Sequence, residues 1–108
     1  ADYSDDSASP PVACPAGPAP VGSLSPKGDG KWGHADLAGN ISEWVVDWYA
    51  DALIDPCDDC ANLTESGQRG IRSGDFGHAA DGVRSGFRDM SDPTVRYAGY
   101  GLRCARAP

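Results

Sequence analysis

Glycine and proline interrupt this chain so often that no long helix fits anywhere in it. Among its 108 residues, 14 are glycine and 9 are proline, and these are the two residues that weaken a helix interior most. The length suits one domain with one core and leaves no room for a second. The sequence therefore predicts a single loop-rich domain.

The composition changes at residue 27. Residues 1–26 mix Ser, Ala, Asp and Pro, which predicts an extended arm because proline blocks regular structure. Residues 27–108 form the folded part, and the aromatic side chains concentrate between Lys27 and Tyr49. Large aromatic side chains usually fill a core. We therefore expect the core in this region, with these side chains in it: Trp32, Trp44 and Trp48.

Three short segments later in the chain are predicted to be strands. They are residues 69–73, 82–88 and 101–106, and in the second Val83, Ser85 and Phe87 alternate with arginine or glycine. Side chains that alternate in this way point to opposite faces of a strand. Between the aromatic region and these segments, residues 51–68 show no periodicity and are expected to form an acidic loop.

The net charge of −7 argues against nucleic acid and anionic membranes as partners, because both repel an acidic surface. The excess carboxylates either keep the surface soluble or bind cations. No segment reaches the roughly 20 apolar residues of a membrane span, and no charged and apolar leader opens the chain. We expect a soluble protein without a membrane span.

Four cysteines form an even set: Cys14, Cys57, Cys60 and Cys104. In a small loop-rich chain this set is typical of two disulfides formed in an oxidising compartment, which predicts a secreted, periplasmic or cell-surface protein. Three pairings are possible. Because Cys57 and Cys60 lie close in sequence, Cys57–Cys60 together with Cys14–Cys104 is favoured.

The Cys57-x-x-Cys60 spacing also occurs in redox pairs and in zinc sites. The neighbouring Asp55, Asp58 and Asp59 oppose the low thiol pKa that redox catalysis needs. Zinc would need two further ligands from Cys14, Cys104, His34 and His78. A structural bridge is therefore the favoured interpretation.

Catalytic motifs are absent from the sequence. No nucleophile elbow, phosphate-binding loop or His-Glu-x-x-His motif occurs, and His34 and His78 are expected at the surface or in hydrogen-bonded packing. Residues 62–64 match a glycosylation sequon by pattern alone, which chance explains.

The order of several motifs resembles the formylglycine-generating, sulfatase-modifying family, over roughly residues 20–106. The resemblance rests on the following segments: Pro20-Val21-Gly22-Ser23, Gly30-Lys31-Trp32-Gly33, Asp36-Leu37-Ala38-Gly39-Asn40-Ile41-Ser42-Glu43-Trp44, Arg72-Ser73-Gly74-Asp75-Phe76, Arg84-Ser85-Gly86-Phe87-Arg88 and Tyr100-Gly101-Leu102-Arg103-Cys104. It implies an irregular α+β fold of the C-type-lectin-like type with short antiparallel strands. Only the later part of the family domain is matched. The resemblance thus implies that the missing N-terminal half, or a homo-oligomer contact, covers the core.

The resemblance also bears on catalysis. Catalytic members carry a copper-binding cysteine pair after the segment that matches residues 72–76, whereas residues 77–103 contain no cysteine here. Ser85 lies near the place of the second cysteine, and a hydroxyl does not replace a thiolate as a ligand of copper(I). We therefore expect no enzyme activity and no catalytic residues. The position of Cys104 resembles a structural disulfide position of the family.

The resemblance further implies a structural calcium site in residues 36–43. The matching ligands are the side chains of Asp36 and Glu43 and the carbonyls of Gly39 and Ile41, and such oxygens are the ligands that calcium prefers. The alternative is that Asp36 closes an Asx turn and Glu43 is solvated.

Together these features favour a non-catalytic binding or structural module that contacts a protein or carbohydrate ligand. Two alternatives stay open. One is an oxidase of the formylglycine-generating type, and the other is a diversified ligand-display protein with variable residues late in the chain.

Overall fold

The structure is a computed structural model, and it describes residues 17–106. Four strands lie in it: β1 (Ser42–Trp48), β2 (Arg69–Arg72), β3 (Asp89–Ser91) and β4 (Tyr100–Gly101). A short 3₁₀ helix, Ala80–Val83, lies between β2 and β3. Turns and irregular segments make up the rest of the described chain, in agreement with the loop-rich domain predicted from glycine and proline and with the α+β class that the resemblance implies.

The strands form one mixed sheet in the order β3-β2-β1-β4. Strand β2 pairs antiparallel with β1 and with β3, whereas β4 runs parallel to β1. The expectation of antiparallel strands is therefore wrong for β4. Pairing between β1 and β2 shifts register between Trp44 and Trp48, as at a bulge, which increases the local twist of a strand.

Two of the three predicted strand segments need correction. Strand β2 confirms the prediction for residues 69–73, and β4 begins at Tyr100 but ends at Gly101. Residues 82–88 are not a strand: Gly82 donates to the Ala79 carbonyl and Phe87 to the Arg84 carbonyl, which makes turns. The alternation there included Gly82 and Gly86, which bring no side chain to a sheet face, so the local turns prevail.

The hydrophobic core is small and lies in the sheet. Among the described residues, the one apolar side chain that is fully buried is Ile71, at 1% exposure, in β2 between β1 and β3. Trp44 and Trp48 are half-buried, and Trp44 packs edge-on against Tyr100 with ring centroids 5.2 Å apart. The predicted position of Trp32 in the core is wrong, because its side chain is 77% exposed.

The end of the predicted arm that the structure describes, residues 17–26, contacts the folded part. The backbone of Ala19 exchanges two hydrogen bonds with the Asn40 side chain, and the Gly22 amide donates to Asp36. Residues 21–28 form turns. These contacts bring the segment before residue 27 to the N-terminal end of β1.

Candidate functional site

A cavity of about 340 Å³ lies beside the C-terminal half of β1. Strands β1 and β2 form one wall and residues 49–62 form the other, with Arg88 and Asp89 at the side. The apolar side chains in its lining are Val45, Trp48, Leu53, Ile54 and Ile71. Its volume is at the low end of the range of about 300–1,000 Å³ typical of ligand pockets, which are likewise mostly apolar with a few polar groups.

The outer wall of this cavity is the segment from residue 50 to residue 62, here called the stapled loop. A disulfide joins Cys57 to Cys60, which confirms that predicted bridge, and both cysteines line the cavity. Every residue from 51 to 60 is exposed. A loop with so little burial has few packing contacts to define its shape, so the bridge restricts it where packing does not.

Asn62 attaches the far end of the stapled loop to β1. Its side-chain amide donates to the Trp48 carbonyl at 2.8 Å, and its backbone amide donates to Asp47 Oδ1 at 2.8 Å. The Trp48 amide in turn donates to the Asn62 carbonyl. In the sequence Asn62 stands out only as part of a sequon, yet its side chain donates a hydrogen bond that joins the stapled loop to β1.

Arg88 attaches the near end of the loop. Its guanidinium donates to the carbonyl of Ala50 at 2.8 Å and to that of Asp51 at 3.3 Å. It also lies over the ring of Tyr49, 5.0 Å from the centroid, which is within the range of a cation–π contact. Nothing in the local sequence signals these contacts, because Asp51 and Ala50 are 37 and 38 residues away from Arg88 along the chain.

The four residues predicted to bind calcium lie at the opposite end of β1, and each predicted ligand group already accepts a hydrogen bond. Asp36 Oδ2 accepts from Gly22 N at 2.6 Å, and the Gly39 carbonyl accepts from Ile41 N. The Ile41 carbonyl accepts from Ser73 Oγ. Among residues 17–106 no cluster of three or more His, Cys, Asp or Glu side chains is placed to hold a metal.

Glu43 is held by an arginine. Arg103 Nη2 lies 2.8 Å from Glu43 Oε1, and Arg103 Nε donates to both carboxylate oxygens at 3.0 and 3.2 Å. The same guanidinium donates to the carbonyls of Ala35 and Asp36. The hydrogen bonds that Arg103 donates to Glu43, more than the charge of Glu43 alone, raise the pKa of Arg103 above its ordinary value. Calcium coordination by Glu43 would require Arg103 to move, and the calcium site stays a prediction.

Asn40 connects three segments at this end of β1. Its side chain binds both the amide and the carbonyl of Ala19, at 2.7 and 3.1 Å, and its own carbonyl accepts from Phe76. Its φ is 70°, a left-handed conformation that asparagine tolerates better than most residues. The Gly-Asn pair that carried the family resemblance therefore has a structural role here.

The positions of both histidines agree with the prediction that they lie at the surface or in hydrogen-bonded packing. His34 is exposed, whereas His78 Nδ1 lies 2.9 Å from the buried carboxylate of Asp75. The His78 ring also packs edge-on against Phe87. This pair fixes the turn between β2 and the 3₁₀ helix.

The second predicted disulfide lies partly outside the described residues. Cys104 is exposed, and Cys14 is not among residues 17–106. The Cys14–Cys104 bridge therefore stays a prediction. No helix in residues 17–106 has both the length and the apolar character of a membrane span.

Comparisons with known proteins extend these observations. A solved structure, Treponema denticola variable protein 1, superposes with a TM-score of 0.69 at 29% identity, over 82% of this chain and 31% of that one. Serine/threonine-protein kinase Pkn1 of Chlamydia trachomatis serovar L2 is 30% identical over 79 residues, and pkn1 of Chlamydia pneumoniae is 33% identical over 82 residues. These matches cover 68% and 69% of this chain but only 13% of either kinase.

The chain thus corresponds to a part of each of these longer proteins, and it has the fold of the variable protein over most of its own length. A family model described as the sulfatase-modifying factor enzyme 1-like domain matches residues 14–108, which include every residue of the sheet, of the cavity lining and of the Asn40 and Arg103 contacts. This chain belongs to the sulfatase-modifying factor enzyme 1-like family.

Proposed function

We propose that this chain is a non-catalytic binding module and that its ligand enters the cavity beside the stapled loop. The observation that carries the proposal is that cavity of about 340 Å³, which is lined mainly by apolar side chains and bounded by two strands and a disulfide-closed loop. A mostly apolar cavity with a few polar groups is typical of ligand pockets. We further propose that the fold is the C-type-lectin-like variant.

Selection from an unbiased random-peptide display library tests the cavity as a binding site. Ala52→Trp places a large side chain at the lining, since Ala52 is exposed and borders the cavity. Leu63→Trp is the matched control, because Leu63 is also exposed but lies outside the lining. Ligands that bind the wild type and Leu63→Trp but not Ala52→Trp support the proposal. Equal binding to all three proteins, or no enriched ligand, would contradict it.

The absence of catalysis is part of the proposal and rests on sequence. Residues 77–103 contain no cysteine, whereas copper(I) chemistry of the resembled type needs a thiolate pair. The competing hypothesis is an active formylglycine-generating oxidase. Copper uptake with oxygen consumption in the presence of a cysteine-containing peptide would establish that alternative, and neither is expected.

We propose an oxidising compartment for this chain, at the cell surface, in the periplasm or outside the cell. The bridge between Cys57 and Cys60 supports this location, because such structural disulfides persist where thiols are not kept reduced. Peptide mapping without reduction is expected to find Cys57 joined to Cys60 and Cys14 joined to Cys104. Four free thiols would contradict it.

Calcium is the proposed structural ion of residues 36–43, with Asp36, Gly39, Ile41 and Glu43 as its ligands. An oxygen-only set with two carboxylates supports it, and the Arg103 guanidinium on Glu43 opposes it. A thermal melt with and without a calcium chelator, on the wild type and on Glu43→Gln, decides between these two cations.

A partner surface is proposed around residues 21–37. Val21, Trp32 and Leu37 are 85%, 77% and 48% exposed, and exposed apolar side chains mark a contact where they form one patch. The proposed cover is either the N-terminal half of the family domain or a second copy of this chain. Native mass spectrometry of the full-length source protein and of this chain distinguishes the two.

A second candidate function is diversified ligand display. The superposition on a protein named a variable protein favours it, and the late segments 84–86 and 92–98 are exposed and available for variation. Sequencing the locus for a nearby template repeat and a reverse-transcriptase gene separates this candidate from a fixed binding module.

A further inference from the structure

We infer that the cavity beside the stapled loop receives a basic peptide segment, with one apolar side chain inside the cavity and lysine or arginine against its rim. This inference rests on the proposed binding function and adds the chemistry of the ligand. Three properties of the described residues support it: the hydrogen bonds that the charged side chains of the lining already make, the distribution of charge on the stapled loop, and the exposure of the apolar side chains.

The positive charges at the cavity are engaged within the protein. Arg88 donates to the carbonyls of Ala50 and Asp51, and Arg72 donates to the carbonyl of Ser85. Both guanidinium groups therefore serve to hold segments of the chain together. Each guanidinium has further N–H donors, but the two positive charges of the lining are matched by the carboxylates of Asp47 and Asp89, so the lining itself does not favour an acidic ligand.

The carboxylates of the lining have free capacity. Asp47 Oδ1 accepts from the Asn62 amide, and Asp89 Oδ1 accepts from the Met90 amide. In the described part of the chain the second oxygen of each carboxylate accepts no hydrogen bond. A carboxylate has room for several donors on its two oxygens. These two groups can accept hydrogen bonds from an ammonium or guanidinium group without any change in the fold.

The stapled loop adds further negative charge and no positive charge. It carries Asp51, Asp55, Asp58 and Asp59, all exposed, and no lysine or arginine occurs between residues 50 and 68. Asp58 and Asp59 lie between the two cysteines that line the cavity. Exposed carboxylates alone would indicate only a solvated loop, but these are next in sequence to residues that line the apolar opening, among them Ile54, Cys57 and Cys60.

The apolar component of the site is open to solvent. Leu53 is 71% exposed and Ile54 is 47% exposed, and both line the cavity. Behind them lie Val45 and the buried Ile71. A cavity of about 340 Å³ is at the small end of ligand pockets, which suits a single anchoring side chain. Charge complementarity and this size together fit an apolar residue flanked by cations.

Fluorescence anisotropy with three labelled peptides of equal length tests the inference. The peptides are acetyl-Lys-Lys-Phe-Lys-Lys-amide, the same peptide with Gly in place of Phe, and the same peptide with Glu in place of every Lys. We expect the first to bind, the second to bind about tenfold more weakly because it lacks the anchor, and the third not to bind. High ionic strength is expected to weaken the first.

Variants of the full chain locate the contact. Asp58→Asn/Asp59→Asn is expected to weaken the Lys-Lys-Phe-Lys-Lys peptide about fivefold or more. The control, Asp81→Asn/Asp92→Asn, removes the same charge at two exposed residues outside the cavity lining and is expected to leave affinity nearly unchanged. Ala52→Trp is expected to abolish the preference for Phe over Gly.

Each outcome supports or overturns the inference. Equal losses in the two double variants would mean that net charge alone attracts the peptide, and an unchanged Phe preference in Ala52→Trp would place the contact elsewhere. If the display selection yields cavity-dependent ligands that are neutral or acidic, the binding function stands and the basic-peptide inference is overturned. If no library peptide depends on the cavity, the binding function itself is overturned.

Discussion

Strand β1 meets distant segments of the chain at its N-terminal end and an open cavity at its C-terminal end. At the first end, Asn40 holds Ala19 and Glu43 holds Arg103, and the partners are 21 and 60 residues away in sequence. At the second end, the wall of the cavity is a loop whose residues 51–60 are all exposed. The first end connects segments that are distant in sequence, whereas the loop at the second end has few packing contacts.

This contrast indicates which part of a small domain with little core stabilises the fold and which part is available for binding. Within residues 17–106 Ile71 is the one fully buried apolar side chain, and polar contacts between remote segments add to this small core, since each hydrogen bond contributes a modest stabilisation. The loop at the other end is restricted by the Cys57–Cys60 disulfide and by the hydrogen bonds of Arg88 and Asn62. Substitutions at the first end should therefore affect global stability, and those at the second should affect binding.

The largest effect is expected from Asn40→Ala. This substitution removes both hydrogen bonds to Ala19 and puts alanine at φ 70°, for a combined loss of about 3 kcal/mol in the free energy of unfolding. Urea unfolding followed by tryptophan fluorescence measures it.

Asn62→Ala is the matched control at the cavity end, where one side-chain hydrogen bond to the Trp48 carbonyl is lost. We expect a loss of about 1 kcal/mol. If the two variants lose the same free energy of unfolding, the N-terminal end of β1 does not contribute more to global stability than the cavity end.

The sequence predicted those features that depend on neighbours in the chain. The Cys57–Cys60 bridge followed from a spacing of three residues, and β2 coincides with a short segment that was predicted to be a strand. The family followed from the order of its motifs. Residues 82–88 were predicted wrongly because Gly82 and Gly86 made a turn-forming segment look like an alternating strand.

The cavity was not predictable from the sequence for a physical reason. Its walls come from β1, β2 and an acidic loop without periodicity, and the arginine that holds that loop, Arg88, is 38 residues from its partner Ala50. Trp32 was placed in the core on its size alone, yet a large side chain is buried only where the fold has a partner for it. Neither a spacing nor a propensity reports such contacts.

The second expected effect concerns the disulfide. Cys57→Ser/Cys60→Ser removes a bridge that closes a very short loop, and the chain-entropy model limits its contribution to about 2 kcal/mol. We expect the amides of residues 50–60 to exchange faster with deuterium, while the amides of β1 and β2 stay protected, because the loop is exposed and opens locally.

Cys14→Ser/Cys104→Ser protein treated with a dithiol reductant is the chemical control, because it can lose only the Cys57–Cys60 bridge, and it should show the same exchange pattern in residues 50–60. Loss of protection throughout β1 and β2 in either sample would mean that the stapled loop supports the whole sheet, and the contrast between the two ends of β1 would then fail.

The smallest expected effect is that of Glu43→Gln, which decides which cation serves the N-terminal end of β1. The pair with Arg103 is partly exposed, so its loss should lower the free energy of unfolding by only about 1 kcal/mol. The hydrogen bonds that Arg103 donates to Glu43 raise the pKa of Arg103 above its ordinary value. Its contribution is therefore complete below that value and is lost only as pH rises through the higher folded-state pKa, so alkaline titration from neutral pH to about pH 10 should leave it unchanged.

A thermal melt with and without a calcium chelator separates the guanidinium from calcium. If calcium binds at residues 36–43, as proposed, the chelator lowers the midpoint of the wild type and has no effect on Glu43→Gln, because ligand binding stabilises only the state that binds it. Arg103→Met serves as the second variant: it removes the guanidinium and leaves the carboxylate free, so added calcium should stabilise this variant at least as much as the wild type. Midpoints that do not respond to chelator in any of the three proteins, with no calcium by elemental analysis, would mean that the calcium site does not exist and that Arg103 alone neutralises Glu43.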